Sequence, residues 1–188
     1  MKDLSSEQES RETAMSGDSA YAVAEQMATV SSESYKYAMR RVVSPVAVIT
    51  ANADGERNGL TATAVCSATT EPPTILICIQ RDAKAIGLIE RSRTFAVNFL
   101  NDTQSDVARA FSTRQLAGEA RLKTGSWKTM ATGAPVLESA ISVFDCELDR
   151  SIACGSHEIL FGRVVAVTSG EDSALLYRDG FFRRVAPE

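Results

Sequence analysis

Between Asn58 and Thr70 the chain reads Asn-Gly-Leu-Thr-Ala-Thr-Ala-Val-Cys-Ser-Ala-Thr-Thr. The stretch has the β-propensity of a strand, yet small residues and hydroxyls stand where bulky apolar groups normally fill a core. Small side chains let a planar ligand approach the backbone, and hydroxyls and free amides can meet the oxygens of a phosphate or a heteroaromatic ring. A Thr- and Ala-rich edge strand facing water has the same composition. His157, the sole histidine, follows Gly155-Ser156 just before an apolar run. A lone histidine in such a place is more often a polar residue satisfied in a turn than a chemical group. Cys66 has no base beside it in sequence and apolar neighbours, which reads as a packed, inert thiol. With one histidine and scattered cysteines, no metal-ligand spacing occurs, and there is no Gly-x-Ser-x-Gly to seat a hydrolase serine.

These residues must be positioned by a strand-rich chain. A helix is expected from Ser31 or Ser32 as cap, with Tyr35, Tyr37, Ala38, Met39 and Val42 on its apolar side, ending at Ser44-Pro45. Val46–Thr50 and Leu60–Ala68 read as strands joined through Asp54-Gly55, a favoured hairpin pair. Pro72-Pro73 interrupts the pairing before Ile75–Ile79, whose unbroken apolar run suits a strand buried on both faces. Ala83–Glu90 reads as a short helix and Thr94–Phe99 as a central strand. Thr103 or Ser105 would cap a helix carrying Val107, Ala108 and Phe111. Residues 112–134 have weak periodicity and read as a long loop, of the kind that is often functional in a compact domain. Ile141–Leu148, Ile159–Val167 and Gly180–Val185 complete the strands. Without a regular strand–helix alternation or a Gly-x-Gly-x-x-Gly, a Rossmann domain is disfavoured. The pattern gives a mainly β protein with interposed helices, an antiparallel barrel or sandwich.

At 188 residues and 44% hydrophobic, the chain can bury one substantial core. Residues 1–30 are set apart as a loosely ordered segment and 31–188 as one domain; residues 1–18, rich in Ser, Glu and Asp, cannot offset the entropy of ordering. A net charge of −4 and no basic cluster argue against nucleic acid. The apolar runs are strand-sized, too short to span a membrane. The opening Met-Lys-Asp-Leu-Ser-Ser-Glu-Gln-Glu-Ser lacks the apolar stretch of a secretory signal. Cys66, Cys78, Cys146 and Cys154 read as reduced core thiols of a cytoplasmic protein.

Several segments fall in a telling order: Ser44-Pro45-Val46-Ala47-Val48-Ile49-Thr50, the Asn58–Thr70 strand, Glu71-Pro72-Pro73 with Thr74–Ile79 and Gln80-Arg81, Phe95–Leu100, and Gly155-Ser156-His157-Glu158 leading into Ile159–Val164. From Tyr35 to Arg184 this series resembles the short-chain flavin reductases, the NAD(P)H-dependent reductase components of two-component flavin monooxygenases. The resemblance implies an antiparallel split β-barrel of the FMN-binding type, FMN or FAD as cofactor, and NADH, preferred over NADPH, as co-substrate. It also implies a homodimer that supplies reduced flavin to a separate monooxygenase. It matches Thr61, Ala62, Thr63, Ala64, Val65, Cys66 and Ser67 to the flavin-binding strand, with Val46, Val48 and Thr50 facing the flavin from the preceding one. Arg81 and Lys84 correspond to phosphate-side residues, though Ala83 stands where serine is common, and Arg183, with Arg178, to a basic ending near the cofactor. His157 corresponds to a histidine beside flavin and nicotinamide, in a Gly-Asp-His motif whose Asp is here Ser156. Its implied role is positional and electrostatic, because hydride passes directly between the cofactors. No Gly-rich, helix-capped phosphate loop is present, which suits reversible flavin binding. A non-catalytic flavin carrier of the flavoredoxin kind is the alternative, and a split barrel binding haem or pyridoxal phosphate a more distant one.

Overall fold

The computed structural model describes residues 30–185. Contacts divide the chain after Met39 into two compact units. In the first, helix α1 (Ser32–Met39) is capped by Ser31, whose Oγ accepts the Ser34 N–H at 3.1 Å. The helix stops at Met39, so Val42 is not part of it. The expected loosely ordered residues 1–29 lie outside the described residues.

The second unit is built on a seven-stranded sheet in the order β3-β2-β6-β9-β10-β5-β4. Its strands are β2 (Ala47–Ala53), β3 (Glu56–Ala62), β4 (Val65–Thr70), β5 (Pro73–Gln80), β6 (Thr94–Phe99), β9 (Ser142–Cys154) and β10 (His157–Ser169). All its pairings are antiparallel. The β2–β3 hairpin turns at Asp54-Gly55, where φ is 54° and 84°, the left-handed pair that a tight two-residue turn requires. Short strands add two small sheets: β1 (Ser44–Pro45) with β11 (Leu176–Arg178) and β12 (Phe181–Arg183), and β7 (Trp127–Thr129) with β8 (Pro135–Leu137).

The small-residue stretch is not one strand. It breaks at Thr63-Ala64 into β3 and β4, which lie at opposite edges of the sheet. Across a flat sheet, six spacings would separate those edges by about 29 Å. The linker from Ala62 to Val65 reaches at most about 11 Å. The sheet must therefore curl until its edges approach at this end. Ala64 is held there, its carbonyl accepting the Cys78 N–H at 2.9 Å. No β3–β4 ladder is formed among the described residues, so hydrogen bonds do not close the curl into a cylinder.

Helix α2 (Lys84–Ser92) closes one side, burying Ala85, Ile86, Leu88 and Ile89 with Ile49, Ile77, Ile79, Phe95 and Leu160. A second cluster joins Val46, Val48, Leu100, Val107, Phe111 and Leu175 under helix α3 (Ser105–Ser112). Four sequence expectations change. Strand β5 alternates instead of being buried on both faces: Ile75, Ile77 and Ile79 enter the core while Leu76 and Cys78 stay half-buried on the other side. Neither Thr103 nor Ser105 caps α3; the cap position is Gln104, and Thr103 donates to Asn101 Oδ1. Residues 112–134 hold helix α4 (Glu119–Leu122) and β7. Of the cysteines only Cys146 is a core thiol, pushed up to about 12 by burial, while Cys66 and Cys154 are exposed. No helix among the described residues is long and apolar enough to cross a membrane.

Candidate active site

A cavity of about 600 Å³ opens where the sheet edges converge. That volume lies in the range of small-molecule sites, roughly 300–1,000 Å³. Its first wall is the end of β3 and the linker, Asn58 to Ala64. Gly59 is required on this wall, because a Cβ there would overlap the Ile49 carbonyl and press on Phe111. Thr61 donates its hydroxyl to the Ala108 carbonyl at 2.7 Å, tying β3 to α3. Thr63 is exposed and its hydroxyl makes no hydrogen bond within the described residues.

The second wall is the end of β5 and the start of α2: Cys78 to Gln80 and Asp82 to Ala85. No side chain caps α2, since position 83 is alanine. Lys84 and Ala85, the first residues of α2 at the positive end of its dipole, line the cavity, while the Ile86 N–H donates to the Ala83 carbonyl at 3.0 Å. A helix start can receive an anion without a glycine-rich loop, a device no local sequence motif marks. The Cys78 thiol on this wall is pushed up, chiefly by burial and further by Cys154.

His157 opens β10 and lines the cavity between these walls. The preceding two-residue turn places Gly155 at φ 56°, and ladder pairing sets His157 between Gln80 and Cys154. Ser156 Oγ lies 2.9 Å from His157 Nδ1, so a hydroxyl orients the ring where the related motif carries a carboxylate. The turn itself is fixed by the Arg81 N–H donating to the Ser156 carbonyl at 3.0 Å.

The third wall is legible in the sequence only as part of the long 112–134 segment, with none of its lining residues marked. Phe111, at the end of α3, and the segment 112–121 complete the cavity with Ser112, Arg114, Leu116, Ala117 and Arg121. Two attachments hold this segment on β3. Arg57 meets Glu119 through both ends of its guanidinium, at 2.7 and 2.6 Å. Arg121 donates to the Leu116 and Thr113 carbonyls at 2.9 and 2.7 Å and to the Gly59 carbonyl. The Arg57 hydrogen bond holds the Glu119 carboxyl below its ordinary value, and burial pushes the Arg121 guanidinium down. The sequence signal was weak: two arginines in a stretch without periodicity, directly after an amphipathic helix.

Among the sequence candidates, Thr61, Ala62, Thr63, Ala64, Lys84 and His157 come together around the cavity. Val46 and Thr50 do not line it. Val46 is packed in the second core cluster, and buried Thr50 donates to the Pro135 carbonyl while accepting from Asn98 Nδ2 at 3.2 Å. Val65, Cys66 and Ser67 lie on the edge strand β4, outside the lining. Arg81 faces Glu158 at 3.7 Å, and Arg183 lies over the Phe181 ring at 5.2 Å in the small C-terminal sheet, where Arg109 covers Phe182 at 5.1 Å. Among the described residues no metal-ligating group of three or more His, Cys, Asp or Glu is assembled.

Residues 39–186 match the flavin reductase like domain. FMN reductase (NADH) RutF 1 of Methylorubrum extorquens is 40% identical over 82% of this chain and 77% of its own length. The FMN reductase (NADH) RutF of Pseudomonas syringae is 40% identical over 80% of this chain and 85% of its own. The fold superimposes on an NADH:FAD oxidoreductase of Streptomyces globisporus, solved with NAD and FAD fragments, at TM-score 0.77 and 28% identity, covering 83% of this chain and 93% of that one. It matches the flavin reductase component of a bacterial two-component tryptophan halogenase equally well, at TM-score 0.77 and 28% identity over 84% of this chain and all of that one. With nearly the whole described chain matched, this protein belongs to the flavin reductase-like family.

Proposed function

We propose that this protein is an NADH-dependent flavin reductase that binds FMN or FAD reversibly and releases it reduced to a separate oxygenase. The observation that carries the reading is the meeting of the Thr63-Ala64 linker, the uncapped start of α2 and His157 around one cavity. The donor set fits the cofactor: small residues for a planar ring, and a cation at a helix start for a phosphate. When bound, the nicotinamide supplies hydride from C4 and the flavin accepts it at N5. Ala62, Thr63 and Ala64 leave room for the ring and offer backbone groups and a free hydroxyl to its polar edge. Lys84 and the first turn of α2 hold the phosphate. His157, oriented by Ser156, positions the nicotinamide. Thr61, with its proton spent on Ala108, fixes the wall. The names of the relatives favour NADH as donor and keep both FMN and FAD as acceptors. The halogenase reductase favours an oxygen-using partner enzyme.

The cavity adjoins an apolar sheet face. Register aligns Cys78, Ile159 and Ile152 across β5, β10 and β9, with Leu76 and Phe161 one step along, and Ile152 is 50% exposed. A second copy covering this face gives a C2 homodimer. Four free cysteines suit a cytoplasmic protein.

The test is extensive dialysis followed by sedimentation and assay. The expected protein is dimeric, has lost its flavin, and consumes NADH only when FMN or FAD is returned. A dissociation constant near 1 μM, about −8.2 kcal/mol, permits that export. Protein that keeps stoichiometric flavin and consumes no NADH is a carrier, and a 20.2 kDa monomer with full activity removes the dimer.

A further inference from the structure

Two arginines on the third wall have no part in the cofactor roles assigned above. Arg121 spends three of its five N–H donors on the carbonyls of Gly59, Thr113 and Leu116. It pairs with no carboxylate among the described residues. Carbonyl dipoles orient the guanidinium without cancelling its charge. Stapling a loop to a strand does not need a cation, and a part-buried charge without a counter-ion is costly. Arg114 stands on the same wall, exposed, with no partner among the described residues. The only carboxylate in the lining is Asp82, on the wall of α2. In a chain of net charge −4 this is a local excess of positive charge, set on a cavity.

We infer that Arg121, fixed by three backbone carbonyls, is the anion-binding residue of the loop wall and meets negative charge carried by the flavin, with Arg114 as an exposed second cation. This rests on the flavin reading of the site. The anionic group has two possible sources: the phosphate, or the ring itself, which carries a negative charge at N1 and O2 once reduced and deprotonated. Both are anions that a guanidinium recognises through paired N–H groups.

The experiment measures dissociation constants for FMN and for riboflavin, which lacks the phosphate. Each is taken oxidised and, without oxygen, dithionite-reduced, in wild type, Arg121→Lys, Arg121→Gln and Arg114→Ala. Losing a charge-assisted hydrogen bond predicts about tenfold weaker binding in Arg121→Gln. Arg121→Lys, which keeps the charge but loses the staple and the paired donors, should weaken binding of the same forms less than Arg121→Gln does. If the phosphate is the source, Arg121→Gln weakens FMN in both redox states and leaves riboflavin alone. If the ring is the source, it weakens reduced FMN and reduced riboflavin together and leaves the oxidised forms alone. Either pattern supports the inference. Equal weakening by Lys and Gln for all four ligand forms makes Arg121 a staple and overturns it, as does no change in any. Should Arg121→Gln not fold, Arg114→Ala decides. A few-fold loss for the same anionic forms, shrinking at high salt, supports the electropositive wall, and unchanged affinities overturn it. Wild-type protein that binds neither flavin defeats the flavin reading as well, whereas wild-type binding with insensitive variants defeats this inference alone.

Discussion

The His157 backbone is fixed in the ladder between Gln80 and Cys154, and its ring meets the Ser156 hydroxyl at Nδ1. A ring held this way can orient a second ring without exchanging a proton. Removing it should damage nicotinamide use more than flavin binding. His157→Ala is predicted to lower kcat/KM for NADH at least about tenfold, roughly 1.4 kcal/mol, with the flavin dissociation constant nearly unchanged. Ser156→Ala, which frees the ring, should cost a smaller part of this, and Ser156→Asp should restore it. Steady-state kinetics with NADH plus a flavin titration check all three, and unchanged NADH kinetics in His157→Ala would leave the residue a turn-former only. His157 was legible because it is unique and follows a glycine turn. Thr50 and Thr61 were legible only as hydroxyls: where each hydroxyl donates depends on carbonyls 85 and 47 positions away, which no local pattern encodes. The cysteines misled for a related reason. Alternation along a strand does not say which face is covered, and only Cys146 faces a filled core.

The elements most easily read were those with strong local signals: the Asp54-Gly55 hairpin, the Thr94–Phe99 strand and the amphipathic α2. What the sequence concealed was the break at Thr63-Ala64. Both halves have the same composition, and only the sheet order reveals that they belong to opposite edges. The same holds for the segment 112–122, which lacks periodicity because tertiary contacts, and not its own packing face, keep it in place. The Arg57–Glu119 pair is one of those contacts, with side chains 37% and 59% exposed. Glu119→Gln should therefore lower global stability by only about 0.5 kcal/mol after solvent screening. The sign with pH follows from the depressed Glu119 carboxyl. Its contribution is present above the unfolded value of about 4.3 and is lost as pH falls through the folded value. Urea midpoints for wild type and Glu119→Gln should differ slightly at neutral pH and converge in acid. A gap that widens in acid would contradict the assigned role of the pair. A loosened segment should also weaken flavin binding at high salt more than at low, because the pair is exposed to screening.

At the scale of the molecule, the curled sheet does one thing for function. It brings the end of β3, the start of α2 and the β9–β10 turn, far apart in sequence, to a single cavity in a protein that is otherwise acidic. The antiparallel class was readable from apolar runs and turn residues; the strand count was not, because one expected strand is two and β1, β7, β8 and β11 are too short to show an apolar run of their own. The closure of distance between edges was not, since it follows from a two-residue linker meeting a seven-stranded order. Family membership and this geometry together make one claim, that the cavity lets a nicotinamide reduce a flavin. The most direct measurement mixes NADH, carrying deuterium on the transferred C4 position, with FMN-loaded protein in the absence of oxygen. Loss of the oxidised flavin absorbance is followed through a single turnover. The account predicts rapid bleaching, slowed by deuterium and slowed by about tenfold or more in His157→Ala. Flavin that stays oxidised in wild-type protein with saturating NADH and NADPH alike would contradict it.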